Sequence, residues 1–430
     1  MQNLTSRTTD IFRFVCLFYV ICSILIFSFL GMNSLRSFED MTVPFLSIHP
    51  TVVHFVITMI LAVACLVLIC LRKQVKIDMI CVCLFIKCIL DVISVILNGQ
   101  FFNISYWMFV IVTAVSFFAY LLMINSPLEE CDYTLIKQSF LVFGLILSLQ
   151  IFYTLLFSGV SYNDPAFKMF MAIPYGGTNI ITAILVPISC LALLGVRHPV
   201  PRFGLVIVYF AAIVATRSRG GMMLAGLCFL FILFQSKLLK KKWWLKLIII
   251  VAAAFALVAV LLFNSDPEYI KTLKPEDWIA FASNGRMEIW KDTFSYLNIR
   301  NVWFGIGMFP PKHPISSAGL HNVILDALVR GGIFGFINYM ALLFFVFQKG
   351  IKKYMKNPNP YFIMTVVIFI NSLYEVCYFS YKCDCLLWMF VGLSMVGGEE
   401  DASSFFTWDS IKNKISALTG RMKKRKIKEN

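Results

Sequence analysis

Long apolar runs, separated by short polar stretches, recur along the whole chain. Twelve are long enough or nearly long enough to cross a bilayer: about 14–32, 51–71, 77–97, 104–124, 139–159, 178–195, 203–215, 220–235, 247–263, 323–348, 359–378 and 386–398. A spanning helix takes about 20 apolar residues. The seventh, eighth and twelfth runs are short by that measure. Helices are the expected element, because lipid leaves no water to satisfy an open backbone. The period-two alternation of a membrane barrel is absent. The first run is too long for a signal peptide and reads as an uncleaved anchor. The pattern therefore predicts an all-α, polytopic membrane protein of about 12 transmembrane helices.

The polar stretches between the runs set the orientation. With the N-terminus in the cytoplasm, 25 of the 38 Lys and Arg fall on the cytoplasmic side and 11 outside, and Lys87 and Arg330 fall within helices. That bias is the positive-inside pattern, with both termini cytoplasmic. One large external segment, 264–322, interrupts the short connections. Three regions follow: N-terminal helices over 1–175, a core over 176–398 that includes the external segment, and a tail over 399–430. The tail ends in Arg421-Met422-Lys423-Lys424-Arg425-Lys426-Ile427-Lys428. Such a run is attracted to anionic lipid of the inner leaflet.

Composition agrees and narrows the class. Of 430 residues, 59% are apolar and 14% charged, with a mean hydropathy of +0.80. Too few charges remain to cover a soluble globule. The net charge of +15 is explained mostly by the cytoplasmic segments, so nucleic acid is not an expected partner. Most of the 13 cysteines sit in apolar runs, where they act as small hydrophobes. There is no Gly-rich nucleotide loop, no His-Glu-x-x-His zinc helix and no Gly-x-Ser-x-Gly elbow. No carboxylate cluster marks a metal-bound nucleotide-sugar site. An enzyme of this kind is expected to use a lipid-linked donor from outside, with neither metal nor cofactor.

Three groups on the external side carry candidate chemistry. Thr216-Arg217-Ser218-Arg219-Gly220-Gly221 lies between two spans with almost no loop. Guanidinium forks at the membrane boundary suit phosphate, and the glycines permit close approach. The alternative is a turn whose arginines snorkel to water. Asn284-Gly285-Arg286-Met287-Glu288-Ile289-Trp290 opens a short helix to about Leu297, with Asn284 or Ser283 as cap. Arg286 in its first turn opposes the helix dipole, which an anionic partner would offset. A solvated Arg is the alternative. Gly319-Leu320-His321-Asn322 closes the segment, where His321 can take a proton or meet a phosphate. Asn322 can cap the following helix, and exposed N–H groups there can face an anion. A capping Asn beside an uninvolved His is the alternative. Gly331 and Gly335, four apart, favour close helix packing.

Within the third span, Lys87 and Asp91 are four apart. Such a pair either neutralises itself or lines a transport path. A flippase of lipid-linked oligosaccharides is therefore the alternative to an enzyme. Inverted or parallel repeats, common in transporters, are not visible. Glu375 and Asp384 are further acidic groups without a motif.

The three groups, in this order, resemble the O-antigen ligase / polysaccharide polymerase family of bacterial membrane glycosyltransferases. The resemblance rests on Ser218-Arg219-Gly220, Gly285-Arg286 with Ile289-Trp290, Trp303-Phe304-Gly305-Ile306-Gly307, His321-Asn322 and Gly331-Gly332-Ile333-Phe334-Gly335. Asn179 and the run to Leu194 are similar to the helix that precedes the family's core. It implies a GT-C-like fold in the bacterial plasma membrane. It also implies metal-independent, inverting transfer of a glycan from undecaprenyl diphosphate to an acceptor hydroxyl at the external face. The acceptor is a lipid in a ligase and a second lipid-linked glycan in a polymerase. By residue, Arg219 and Arg286 would bind and stabilise the leaving diphosphate, with Arg217 and Asn322 as further contacts. His321 would act as base on the acceptor or orient it.

Overall fold

The computed structural model describes residues 2–29, 56, 59–60, 63–64, 66–67, 74–102, 104–157, 159, 161–162, 178–235, 286–295, 297, 299, 301–307, 320–356, 359–373, 381–396 and 405–407. The described elements are all-α apart from one short ladder. Helices run over Gln2–Phe29 (α1), Met79–Leu97 (α2), Ile104–Asn125 (α3), Glu130–Phe157 (α4), Thr178–Gly195 (α5), Pro199–Ala215 (α6) and Arg219–Gln235 (α7). Arg286–Ser295 (α8), Val323–Lys356 (α9), Pro360–Ser372 (α10) and Tyr381–Met395 (α11) follow. Four of them, α2, α4, α5 and α9, are long and apolar enough to cross a membrane, and shorter apolar helices accompany them. The run at 247–263, most of 51–71, most of the external segment and the tail beyond 407 lie outside the described residues. So do Ser283, Asn284, Gly285, Glu375 and the side chain of Asp384.

Among the described residues the helices enclose one large apolar core, with two small apolar clusters apart from it. α11 lies along α3, where Tyr120 meets Trp388 edge-on at 6.3 Å. α2 lies between α3 and α9, and α5 contacts α4, α6, α7 and α10. α1 packs on α4, pinned where Arg13 pairs with Glu129 at 2.8 Å and with Asp132 at 2.5 Å. Large apolar side chains such as Phe14, Phe85, Leu149, Ile207 and Phe344 point outward, as a lipid-facing surface allows.

At one end of the bundle Lys349 pairs with Asp78, Lys76 N–H donates to Asn125 Oδ1 at 2.6 Å, and Lys137 Nζ donates to the Gly195 carbonyl at 3.2 Å. These basic residues are among those that charge bias assigns to the cytoplasm. The same end holds a two-stranded antiparallel ladder that the sequence pattern does not predict. Gln74–Lys76 (β1) pairs with Phe405–Thr407 (β2), in the register Gln74 to Thr407. The start of the tail is thereby held against the connection between the second and third apolar runs. The opposite end carries Arg217, Arg219, the loop 301–307 and His321.

Candidate functional site

The arginine turn is built by short polar side chains. Thr216, wholly buried, donates its hydroxyl to the Ile213 carbonyl at 2.7 Å and so closes α6. Ser218 Oγ accepts the Gly221 N–H at 3.2 Å and caps α7. The Ser218 hydroxyl donates to Asn179 Oδ1 at 2.9 Å and accepts from Thr182 at 3.2 Å, which ties the turn to α5. A Cβ at Gly221 would lie 2.4 Å from Thr182 Cβ, so this glycine serves helix–helix approach.

Between these anchors Arg217 sits at φ 54°, in the left-handed region. Its guanidinium donates to the Tyr162 carbonyl at 2.5 Å and lies 5.2 Å from the centre of the Tyr162 ring. Arg219, the first residue of α7, is half-buried. Loss of water and then the charge of Arg217 hold its pKa below the ordinary arginine value. Two cations at one helix start form a region that an anion would stabilise.

The histidine turn is built differently. Asn322 Oδ1 accepts the N–H groups of Ile324 at 3.0 Å and Leu325 at 3.1 Å, capping α9. Its Nδ2 donates to the Leu373 carbonyl, at the end of α10, at 3.0 Å. Asn322 therefore spends its amide oxygen on the cap and one amide N–H on α10. His321 precedes it at φ 49°. Among the described residues, Arg217 and His321 are the two non-glycine residues in the left-handed region. Backbone strain of this kind persists where the surroundings over-determine it, and it concentrates at functional sites.

Arg286 opens α8, which docks on the histidine turn. Trp290 Nε1 donates to the Leu320 carbonyl at 2.7 Å. Ile289 and Leu297 pack with Ile306 against buried Leu320 and Val329. The structure thus joins the Arg286 helix to the His321 turn. The arginine turn connects to the same region through α10, which contacts α7 and receives Asn322.

Below His321, α9 is broken. Gly332 has φ 64° and ψ −163° inside an otherwise helical run. The loop 301–307 fills the break. Ile306 N–H donates to Val329 O at 2.9 Å, Gly307 N–H to Arg330 O at 3.2 Å and Ile333 N–H to Val302 O at 2.8 Å. A Cβ on Gly305 would come within 2.1 Å of the Arg330 carbonyl, and one on Gly332 within 2.4 Å of Trp303. The two glycine motifs are thus the halves of one joint. Gly331 and Gly335 do not form the expected packing pair among the described residues, where nothing lies within 4 Å of a Cβ at Gly331.

The family model described as O-antigen ligase matches residues 204–340. Over residues 204–340 the chain is similar to the O-antigen ligase family. The matched segment contains Arg217, Arg219, Arg286, His321 and Asn322, together with both halves of the glycine joint. A comparison with curated proteins finds no match. The O-antigen ligase segment begins within α6 and ends in α9, so α1–α5, α10 and α11 lie outside it.

Lys87 and Asp91 pair at 2.7 Å, and Thr113 on α3 hydrogen-bonds both. A second intrahelical pair, Asp326 with Arg330 at 2.8 Å, escapes the sequence reading. Its signal was the same spacing of four.

Proposed function

We propose that the protein transfers a glycan from undecaprenyl diphosphate to an acceptor hydroxyl at the external face of the bacterial plasma membrane. The acceptor is a lipid or a second lipid-linked glycan. The observation that carries this reading is that the two left-handed non-glycine residues described, Arg217 and His321, both fall in the O-antigen ligase segment.

The chemistry follows from the residue types. The carbon–oxygen bond from sugar to diphosphate breaks as the acceptor oxygen attacks the anomeric carbon from the opposite side, inverting it. Charge grows on the departing diphosphate, and Arg219 and Arg286 stabilise it. Arg217 adds to the field of the turn. His321 takes or orients the acceptor proton. Asn322 contributes by fixing the turn, and its remaining amide N–H faces the diphosphate. No metal or cofactor takes part. The fold is a GT-C-like bundle of about twelve spans with both termini cytoplasmic, 176–398 forming the catalytic core. The basic tail lies on anionic lipid of the inner leaflet.

A transporter reading rested on Lys87 and Asp91. They hydrogen-bond each other and Thr113, which favours a self-neutralising pair over a transport path.

Arg219→Ala, Arg286→Ala and His321→Ala are each expected to abolish surface glycan of the producing strain, followed by gel, while lipid-linked precursor accumulates. Full-length glycan from all three variants at normal protein levels overturns the proposal.

A further inference from the structure

Tyr162 lies in the connection after α4, outside the segment that the family model matches, and grips the arginine turn with three of its groups. Its hydroxyl donates to the Val214 carbonyl, in the last turn of α6, at 3.1 Å. The same carbonyl accepts the Arg217 backbone N–H at 3.1 Å. The Tyr162 carbonyl accepts from Arg217 Nη1 at 2.5 Å, and the Tyr162 ring centre lies 5.2 Å from the guanidinium carbon. One tyrosine thus bears on the Arg217 backbone through a shared carbonyl and on its side chain directly.

Arg217 stands where several forces would move it. Its φ is 54°, a region that residues with a Cβ disfavour. Its charge comes two residues before Arg219, at the positive end of the α7 dipole. Like charges so placed repel. The helix ends do not need the contact, since Thr216 closes α6 and Ser218 caps α7. Anchoring the connection on α6 takes only the hydroxyl bond to Val214. The carbonyl and the ring face of Tyr162 go to the guanidinium. A ring face attracts a cation, and a planar guanidinium can lie on it while donating in its own plane.

We propose that Tyr162 is a positioning residue for the diphosphate site: it holds the Arg217 guanidinium at the turn before the ligand arrives, so that a second cation stands ready two residues from Arg219. The inference rests on the transferase reading above. A charge already in place costs the binding step no ordering. The second cation matters most for the more highly charged ligand, so the arrangement favours a diphosphate over a monophosphate on the same polyprenol.

The test measures binding of undecaprenyl diphosphate and of undecaprenyl monophosphate by the purified full-length protein. Tyr162→Leu is expected to weaken diphosphate binding about fivefold and monophosphate binding about twofold or less. Tyr162→Phe keeps the ring and should stay within about twofold of wild type. In an Arg217→Gln background, Tyr162→Leu should add less than about twofold, because the residue it acts through is gone. Wild-type diphosphate binding by Tyr162→Leu overturns the proposal. So does a Tyr162→Leu loss that is equal for both lipids or that persists undiminished without Arg217. Tyr162→Phe as weak as Tyr162→Leu overturns it too, since the hydroxyl bond to α6 would then be what matters. If Tyr162→Leu yields no folded protein, Arg217→Gln decides. It should weaken diphosphate binding at least fivefold or so, and wild-type binding would leave Tyr162 nothing to act through. Arg219→Ala separates the two readings. If it leaves diphosphate binding unchanged, the transferase site itself is wrong. If it weakens binding while the Tyr162 results fail, only the positioning role is lost.

Discussion

At His321 the backbone holds a conformation that histidine does not favour. A left-handed residue with a Cβ costs about 1–2 kcal/mol relative to its right-handed form. The capping amide of Asn322 and the Trp290 bond to the Leu320 carbonyl enforce it from either side. If the turn exists to present the imidazole, glycine should suit the fold better and the reaction worse. His321→Gly is therefore expected to melt no lower than wild type in detergent, and up to several degrees higher, while glycan output disappears. A fall in melting temperature together with retained output would show that the ring serves packing. The Asn322 cap is legible in the chain, since an Asn before an apolar run is a helix start. The left-handed φ at His321 is not, because nothing in the residue type announces it. Asp326 was equally open to reading: it stands four before Arg330, as Lys87 stands four before Asp91. Its burial against α2 depends on a helix more than 230 residues earlier, which spacing cannot reveal.

The joint between the loop 301–307 and α9 works at the scale of elements. A helix interrupted inside a bundle frees backbone groups that must be satisfied, and the loop supplies the missing donors and acceptors. Within α9, among the described residues, Gly332 alone has a positive φ, and there Trp303 leaves no room for a Cβ. Gly332→Ala is thus expected to destabilise by about 2–4 kcal/mol, seen as a lower melting temperature and reduced yield. Gly331→Ala, one residue away with no described neighbour within 4 Å of its Cβ, should be neutral or stabilising by up to about 1 kcal/mol. Equal effects from the two would contradict a break at Gly332. Hydropathy locates α5 at 178–195 and brings α2, α3, α6 and α7 within a few residues of their ends, because each is a predominantly apolar run. It misses the break, because the loop that stabilises it lies some 30 residues away, and the β1–β2 ladder, because three-residue strands carry no period.

For the whole molecule, charge separation is the organising fact. Among the described residues, Lys76, Lys137 and Lys349 lie with the ladder at one end of the bundle, and Arg217, Arg219 and His321 stand at the other. The O-antigen ligase segment supplies both candidate turns, and helices outside it hold them: α5 through Asn179 and Thr182, α10 through Leu373, and α2 through Ser94. The central claim is that Arg219 and Arg286, carried on separate elements, serve one lipid diphosphate beside His321. The most direct measurement is a cryo-EM structure of the full-length protein bound to undecaprenyl diphosphate. The account predicts diphosphate oxygens within about 3.5 Å of guanidinium nitrogens of both arginines, with the His321 ring facing the same space. A diphosphate bound elsewhere, or held by one arginine with the other turned to a different surface, would contradict it.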